Sequence, residues 1–169
     1  CYNPVVHQWV KMANIVPHGR TQAITLSGSF GIASGCAHIV FVGGVNKERF
    51  ERAVNMPLLI AQAERACKQQ GTHAAQATLA QLQAEQAAYM RHPAPWYEFN
   101  DELVIYHTIT DTWVTESQSP LLARAGAAVV ECGHEWIVVN GEVKPGVRST
   151  DVTAIKMTMR PSFGWLNWV

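Results

Sequence analysis

A pair of aromatic residues recurs in this chain at one spacing, and that recurrence limits the possible folds more than any other feature. Tyr2 and Trp9 stand seven residues apart in YNPVVHQW, and Tyr106 and Trp113 stand seven apart in YHTITDTW. Each pair brackets a short turn-forming stretch, the arrangement of two strands in a hairpin. Upstream of the second pair, the apolar run HIVFV ends in Gly43-Gly44. Further on, WIVV ends in Asn140-Gly141-Glu142, where Glu142 takes the place read as that of the second glycine. Self-similarity at this period is the mark of a repeat architecture.

Strand signals fill in the units. Residues 22–45 combine glycines and small residues with a β-branched run and read as two short strands; 102–116 read as two strands about a tight Thr-Asp turn. Residues 123–143 repeat the first design and 151–169 the second. Two glycines after a buried strand, then a Tyr and a Trp across a hairpin, form the pattern of a kelch blade, a four-stranded antiparallel sheet of about 50 residues. The expected fold class is therefore all-β, kelch-type β-propeller blades, with a generic β-sandwich as the competing architecture. The blades are laid out as an outer strand of one over 1–13, a second over 22–45 plus 97–117, and a third over 123–169. A propeller closes with four or more blades, so the chain reads as part of a longer protein.

One stretch breaks the repeat. Residues 48–92 are rich in Ala, Gln, Glu and Leu, lack alternation and stop at Pro93, which predicts a helical hairpin inserted after the second strand of a blade. Pro57 suits a first helical turn, Gly71 a helix end and Thr72 the next cap. Ala75, Leu79, Leu82, Gln86 and Tyr89 alternate four and three apart, a stripe for packing on a neighbouring helix, with a lid or an interface as the other uses.

Charge excludes several classes. Lys plus Arg and Asp plus Glu number 13 each, so no basic field draws nucleic acid or an anionic membrane surface. No apolar run approaches the length of about 18 residues that reads as a membrane span. Cys1, Cys36, Cys67 and Cys132 show neither C-x-x-C nor close Cys/His spacing, and read as partly buried thiols. The histidines do not cluster; His18, His38 and His134 read as turn or strand-end residues, and no metal site is expected.

Taken together, FVGGVNKERF, the helical insertion, HPAPWYEFNDELVIYHTITDTW, RAGAAVV and VNGEVKPGVRSTDV resemble the kelch-propeller N-acetylneuraminate mutarotases (sialic acid epimerases) of bacteria, and most of all their cyclically permuted branch. The resemblance runs from Tyr2 to about Met157, and NGEVKPGVR is its most specific piece. It implies a propeller of about six blades, a small-molecule sugar acid as partner beside the remaining blades, no cofactor, and a periplasmic location. It also implies that the acidic residue of the N-G-E motif is the acid/base and that the arginine six positions on is its partner. Those roles fall on Glu142 and Arg148.

The chemistry suits these residue types. Interconverting sugar anomers needs a proton taken from the anomeric hydroxyl and one delivered to the ring oxygen, and one carboxyl group can do both in turn. Sialate carries a carboxylate at the anomeric carbon, and a guanidinium matches it with two parallel bonds. On spacing alone, an ordinary ion pair pinning a loop is the simpler account of Glu142 and Arg148; the resemblance reverses that order. Lys144 reads as a solvated turn residue with anion binding as the alternative, and Asn46, Lys47 and Arg124 are weaker substrate contacts that serve equally well as caps. Two other functions stay open: a non-catalytic kelch module binding protein or glycan, and a sialidase-like hydrolase, which needs a nucleophilic tyrosine such as Tyr97 or Tyr106 with an acidic partner.

Overall fold

The computed structural model describes residues 1–133 and 135–156. The chain enters as a small hairpin, β1 (Tyr2–Asn3) and β2 (Gln8–Trp9), with Tyr2 opposite Trp9. It then builds an antiparallel sheet of β3 (Phe30–Ser34), β4 (His38–Val42), β5 (Glu102–His107) and β6 (Thr112–Gln118), ordered β3-β4-β5-β6. Residues 22–29, read from sequence as part of the first strand pair, form bends and a turn ahead of Phe30. Local side-chain-to-backbone bonds stand in place of a ladder, Ser29 Oγ donating to the Leu26 carbonyl at 2.6 Å and Thr25 Oγ1 accepting from Ser27 N at 3.2 Å.

A second sheet follows from β7 (Ala128–Cys132), β8 (Glu135–Val139) and, after an excursion, β11 (Val152–Lys156), ordered β11-β8-β7. The excursion is a hairpin of β9 (Glu142–Lys144) and β10 (Val147–Arg148). The two sheets share one core of Val40, Val42, Leu103, Leu122, Val129, Trp136 and Val138. Each such side chain removed from water contributes about 1.5–3 kcal/mol, enough to hold the sheets together. The remainder of the strand pair expected over 151–169 lies outside the described residues, as does His134.

The Tyr/Trp repeat has a physical cause. Asp111 takes a left-handed conformation (φ 55°) in the turn between β5 and β6, and Tyr106 Oη donates to its Oδ1 at 2.7 Å while stacking on Trp113 with centroids 4.5 Å apart. In the first hairpin His7 is left-handed (φ 52°), Tyr2 Oη bonds its Nδ1 at 2.8 Å, and Tyr2 lies 5.1 Å from Trp9. The tyrosine hydroxyl holds a strained turn residue five positions on, and the tryptophan covers the tyrosine ring.

A second repeat sets the register of the excursions. Gly43 (φ 70°) and Gly44 (φ 106°) leave β4 as Asn140 (φ 58°) and Gly141 (φ 96°) leave β8. Val45 N then donates to Ser27 O at 2.9 Å, and Glu142 N to Ala125 O at 2.7 Å. Glu142 thus corresponds to Val45, one position beyond the second glycine. This corrects the sequence reading, which put the carboxylate in the glycine's own place; Asn140 tolerates the left-handed region and fills the first glycine's role. Gly43 has no such latitude, because a Cβ there would stand 2.3 Å from the Arg124 carbonyl oxygen.

In the blade of β3 to β6, the corresponding excursion holds the helices. α1 (Lys47–Gln70) is capped by Asn46 Oδ1, which accepts from Arg49 N at 3.1 Å; it ends at Gly71 (φ 60°), whose N–H donates to Cys67 O at 3.0 Å. α2 (His73–Tyr89) is capped by Thr72, Oγ1 accepting from Ala75 N at 3.3 Å. Pro57, expected in a first turn, lies inside α1 because Asn46 starts the helix about three turns earlier. Of the expected α2 stripe, Ala75, Leu79, Leu82 and Tyr89 are half-buried and Gln86 is exposed. The neighbouring Glu85 carboxylate instead makes a bidentate pair with Arg52, at 2.8 and 2.7 Å. Cys1, Cys36 and Cys132 are exposed and Cys67 is half-buried, so three of the four thiols lie further out than the sequence suggests.

Candidate active site

Glu142 opens β9 and Arg148 closes β10, directly opposite each other across the hairpin. The turn over Pro145 and Gly146 folds the chain back, as Pro-Gly sequences favour. Arg148 Nε stands 4.0 Å from Glu142 Oε1, with the arginine side chain 78% exposed and the carboxylate 36% exposed. At that separation and exposure the pair contributes about 0–1 kcal/mol to stability. The gap leaves both charged groups accessible to a ligand.

The base of the hairpin is closed from below. Ser149 N donates to Gly141 O at 2.8 Å, Asn140 N to Asp151 O at 3.2 Å, and Ala125 N to Glu142 O at 2.9 Å. Under this closure sits Arg124, only 3% exposed. Its Nε donates to Leu121 O at 3.0 Å, Nη1 to Asn140 O and Asp151 O at 3.2 and 2.9 Å, and Nη2 to Thr153 Oγ1 at 2.5 Å. A buried guanidinium needs such a set of acceptors, and here they bind together the two ends of the excursion that carries Glu142 and Arg148.

Lys144 lies on the same strand as Glu142 and reaches sideways. Its Nζ donates to His92 O at 3.0 Å and Met90 O at 3.5 Å, just beyond the C-terminus of α2. α2 has no basic residue in its last turn, so Lys144 supplies the cation that a helix C-terminus favours. It is therefore a brace between the hairpin and the helical insertion, in place of the solvated turn residue expected from sequence. Lys47 pairs along α1 with Glu51 at 3.4 Å.

A cavity of about 360 Å³ adjoins Glu142, which lines it together with Asn46, Phe50, Val54, Tyr97 and Phe99. A larger hollow of about 680 Å³ runs between α1 and α2. Arg49 pairs there with Glu98 (2.9 Å) and Arg52 with Glu85 (2.7 Å), Arg49 also lies 4.2 Å above the Trp96 ring, and Glu48 adds a third carboxylate to the lining. The guanidinium bonds hold the Glu98 and Glu85 carboxyls below the usual range. The smaller cavity sets the half-buried Glu142 against apolar walls.

The structure brings Glu142, Arg148 and Asn46 to one side of the fold, places Lys144 beside them as a brace, and sets Arg124 beneath and Lys47 apart. The sequence reading did not single out Phe50, Val54 or Phe99, although Phe50 and Val54 stand at helical i, i+4 spacing. Tyr97 is 1% exposed and donates its hydroxyl to Tyr89 O, with burial raising its pKa. Tyr106 has an acidic partner in Asp111, but both sit toward the far end of β5 from Glu142. Neither offers a hydrolase nucleophile beside the carboxylate. Among the described residues no group of three or more His, Cys, Asp or Glu gathers as a metal site, and no helix is long and apolar enough to cross a membrane.

Consecutive antiparallel sheets packed face to face, each with a left-handed exit from its second strand, define part of a kelch-type β-propeller, here with a helical hairpin inserted in one blade. The family model described as N-acetylneuraminate epimerase matches residues 1–168, and the chain belongs to that family. It is 31% identical over 159 residues to the N-acetylneuraminate epimerase of Haemophilus influenzae (strain PittEE), covering 94% of this chain and 36% of the relative. To that of Yersinia enterocolitica serotype O:8 / biotype 1B it is 28% identical over 169 residues, covering 95% and 37%. The solved structure of YjhT superposes with a TM-score of 0.65 at 25% identity, covering 94% of this chain and 40% of that one. The chain thus spans a little over a third of the length of the curated relatives it matches.

Proposed function

We propose that the protein to which this chain belongs is a sugar anomer isomerase that converts α-N-acetylneuraminate to the β-anomer through the open-chain form. The observation that carries this reading is the accessible Glu142–Arg148 pair, held opposite each other on a braced hairpin at the rim of a cavity. Arg148 binds the sugar's carboxylate through charge-assisted bonds. Glu142 takes the proton of the anomeric hydroxyl as the ring C–O bond breaks and then, as the acid, delivers that proton to the ring oxygen, giving the ketone. After rotation about the bond to the anomeric carbon, the same groups act in reverse on the opposite face. A well-placed proton transfer of this kind contributes about 10²- to 10⁴-fold.

Arg124 acts here as framework and Lys144 as brace, while Asn46 contributes an amide to the cavity wall. The chemistry calls for no metal or organic cofactor. The same reading, with the resemblance to the mutarotase family, supports a periplasmic location for the full protein and a part in sialic acid metabolism. Proton NMR of freshly generated α-N-acetylneuraminate with the full-length protein and its Glu142→Gln variant tests it. Equilibration is expected to outpace buffer and to fall by about 10²-fold or more in the folded variant. Exchange no faster than buffer would leave a propeller that binds glycan or protein without this chemistry.

A further inference from the structure

The wall of the cavity beside Glu142 carries apolar side chains that the fold leaves in solvent. Phe50 and Val54 lie one turn apart on α1 and remain 39% and 60% exposed, with Phe99 and the buried Tyr97 lining the same space. Large apolar groups left in solvent next to a carboxylate contribute little to the fold, since neither is part of the core shared by the sheets. Their use is therefore sought in a ligand. The surface of a sialic acid is carboxylate, hydroxyls and a glycerol tail, with one methyl group, that of the C5 acetamido substituent.

We propose that Phe50 and Val54 form a subsite for the acetamido methyl, making the helical insertion the element that selects N-acetylated sugar acids. This inference rests on the mutarotase reading of Glu142 and Arg148 and names its specificity residues. Asn46 lines the same cavity; its Oδ1 is committed to Arg49 N at 3.1 Å, which turns the amide NH₂ into the available donor for the acetamido carbonyl. The apolar wall and the amide together match a group that is methyl at one end and carbonyl at the other. A hydroxyl in its place would leave the wall wetted and the amide without its acceptor.

The test uses the full-length protein with N-acetylneuraminate and with the analogue bearing a hydroxyl at C5. The wild type should favour the acetylated sugar in kcat/KM. The preference should narrow by about fourfold in Phe50→Ala, the factor expected for one methyl group removed from apolar contact, chiefly through KM. Saturation-transfer NMR gives an independent readout: in Glu142→Gln, which binds without turnover, the acetyl methyl should receive the strongest transfer, and Phe50→Ala in that background should weaken it selectively. An equal loss for both sugars, or a methyl signal indifferent to Phe50, overturns the subsite. A wild type that shows the methyl contact without anomer exchange would overturn the catalytic reading and leave the subsite standing.

Discussion

Replacing Arg124 by Met should be among the most destabilising single changes available in this chain. The side chain is 3% exposed and donates at 2.5–3.2 Å to Leu121 O, Asn140 O, Asp151 O and Thr153 Oγ1. Methionine fills much of the volume but offers no donor, so the Leu121 and Asn140 carbonyls and the Thr153 hydroxyl lose the guanidinium, while Asp151 O keeps only the Asn140 N–H. Bonds to a charged donor are individually worth about 1.5–3 kcal/mol net, yet they are not additive, because removing the guanidinium also removes its own desolvation cost. Each buried acceptor left unpaired costs about 1–3 kcal/mol, and with the desolvation of the guanidinium set against that sum a loss of about 3–5 kcal/mol is expected here. Urea unfolding of the full-length protein, followed by tryptophan fluorescence, reads it as a lower midpoint at unchanged slope. Arg124→Lys should recover only a fraction, since one ammonium cannot span acceptors on both sides of a planar fork. A loss below about 1 kcal/mol, the scale of an exposed ion pair, would refute the assignment of Arg124 as the clamp under the excursion.

Other outcomes follow from single contacts. Gly43→Ala places a Cβ 2.3 Å from the Arg124 carbonyl at φ 70°, whereas Gly35→Ala meets nothing within 4 Å at φ 62°; thermal melts should show the former far more damaging and the latter limited to the strain of about 1–2 kcal/mol for a left-handed residue. Lys144→Met frees the hairpin from the Met90 and His92 carbonyls, so kcat for anomer exchange should drop several-fold with KM moving less, and Lys144→Arg should restore it. The bond from Tyr106 to the Asp111 carboxylate, with burial second, raises the phenol's pKa above its ordinary 10.0. A group whose folded value is raised contributes fully below the unfolded value and loses that contribution as pH climbs through the folded one. Stability should therefore fall in the alkaline range, and Tyr106→Phe, followed by urea midpoints across that range, should flatten the fall.

What the sequence made legible was whatever depends on local rules. The Tyr-x6-Trp spacing survives as a hairpin because hydroxyl, left-handed turn residue and indole must sit at fixed offsets, and the offsets are visible without coordinates. Gly71 and Thr72 as helix end and cap are equally local. The errors came where a residue's role depends on a distant partner. Lys144 looks like a turn lysine until the end of α2, more than fifty residues earlier, is brought beneath it. Arg124 looks like a rim residue until the carbonyls of Asn140 and Asp151 converge on it. Pro57 misled because a proline signals the start of a helix more often than its interior, and an asparagine cap eleven residues upstream carries no periodic signature to outweigh it.

The site itself follows from a difference between two blades built on the same frame. Both leave their second strand through a left-handed pair, and both return one residue later to bond the preceding segment, Val45 to Ser27 and Glu142 to Ala125. The frame fixes where the next side chain begins. In one blade the chain continues into α1, and the first position is an apolar Val45 beneath the helix; in the other it turns into a short hairpin, and the same position is Glu142. Val45 and Glu142 are both half-buried and line one cavity, walled by the helix of the neighbouring blade, so the carboxylate faces that opening and not a packed interior. The insertion and the hairpin are thus complementary: one blade supplies the acid and the guanidinium, the other supplies the wall they face, and Lys144 joins the two. Shortening the insertion to an ordinary loop should leave the sheets intact while removing both the cavity and the brace, so such a deletion should cost activity well beyond its cost in stability.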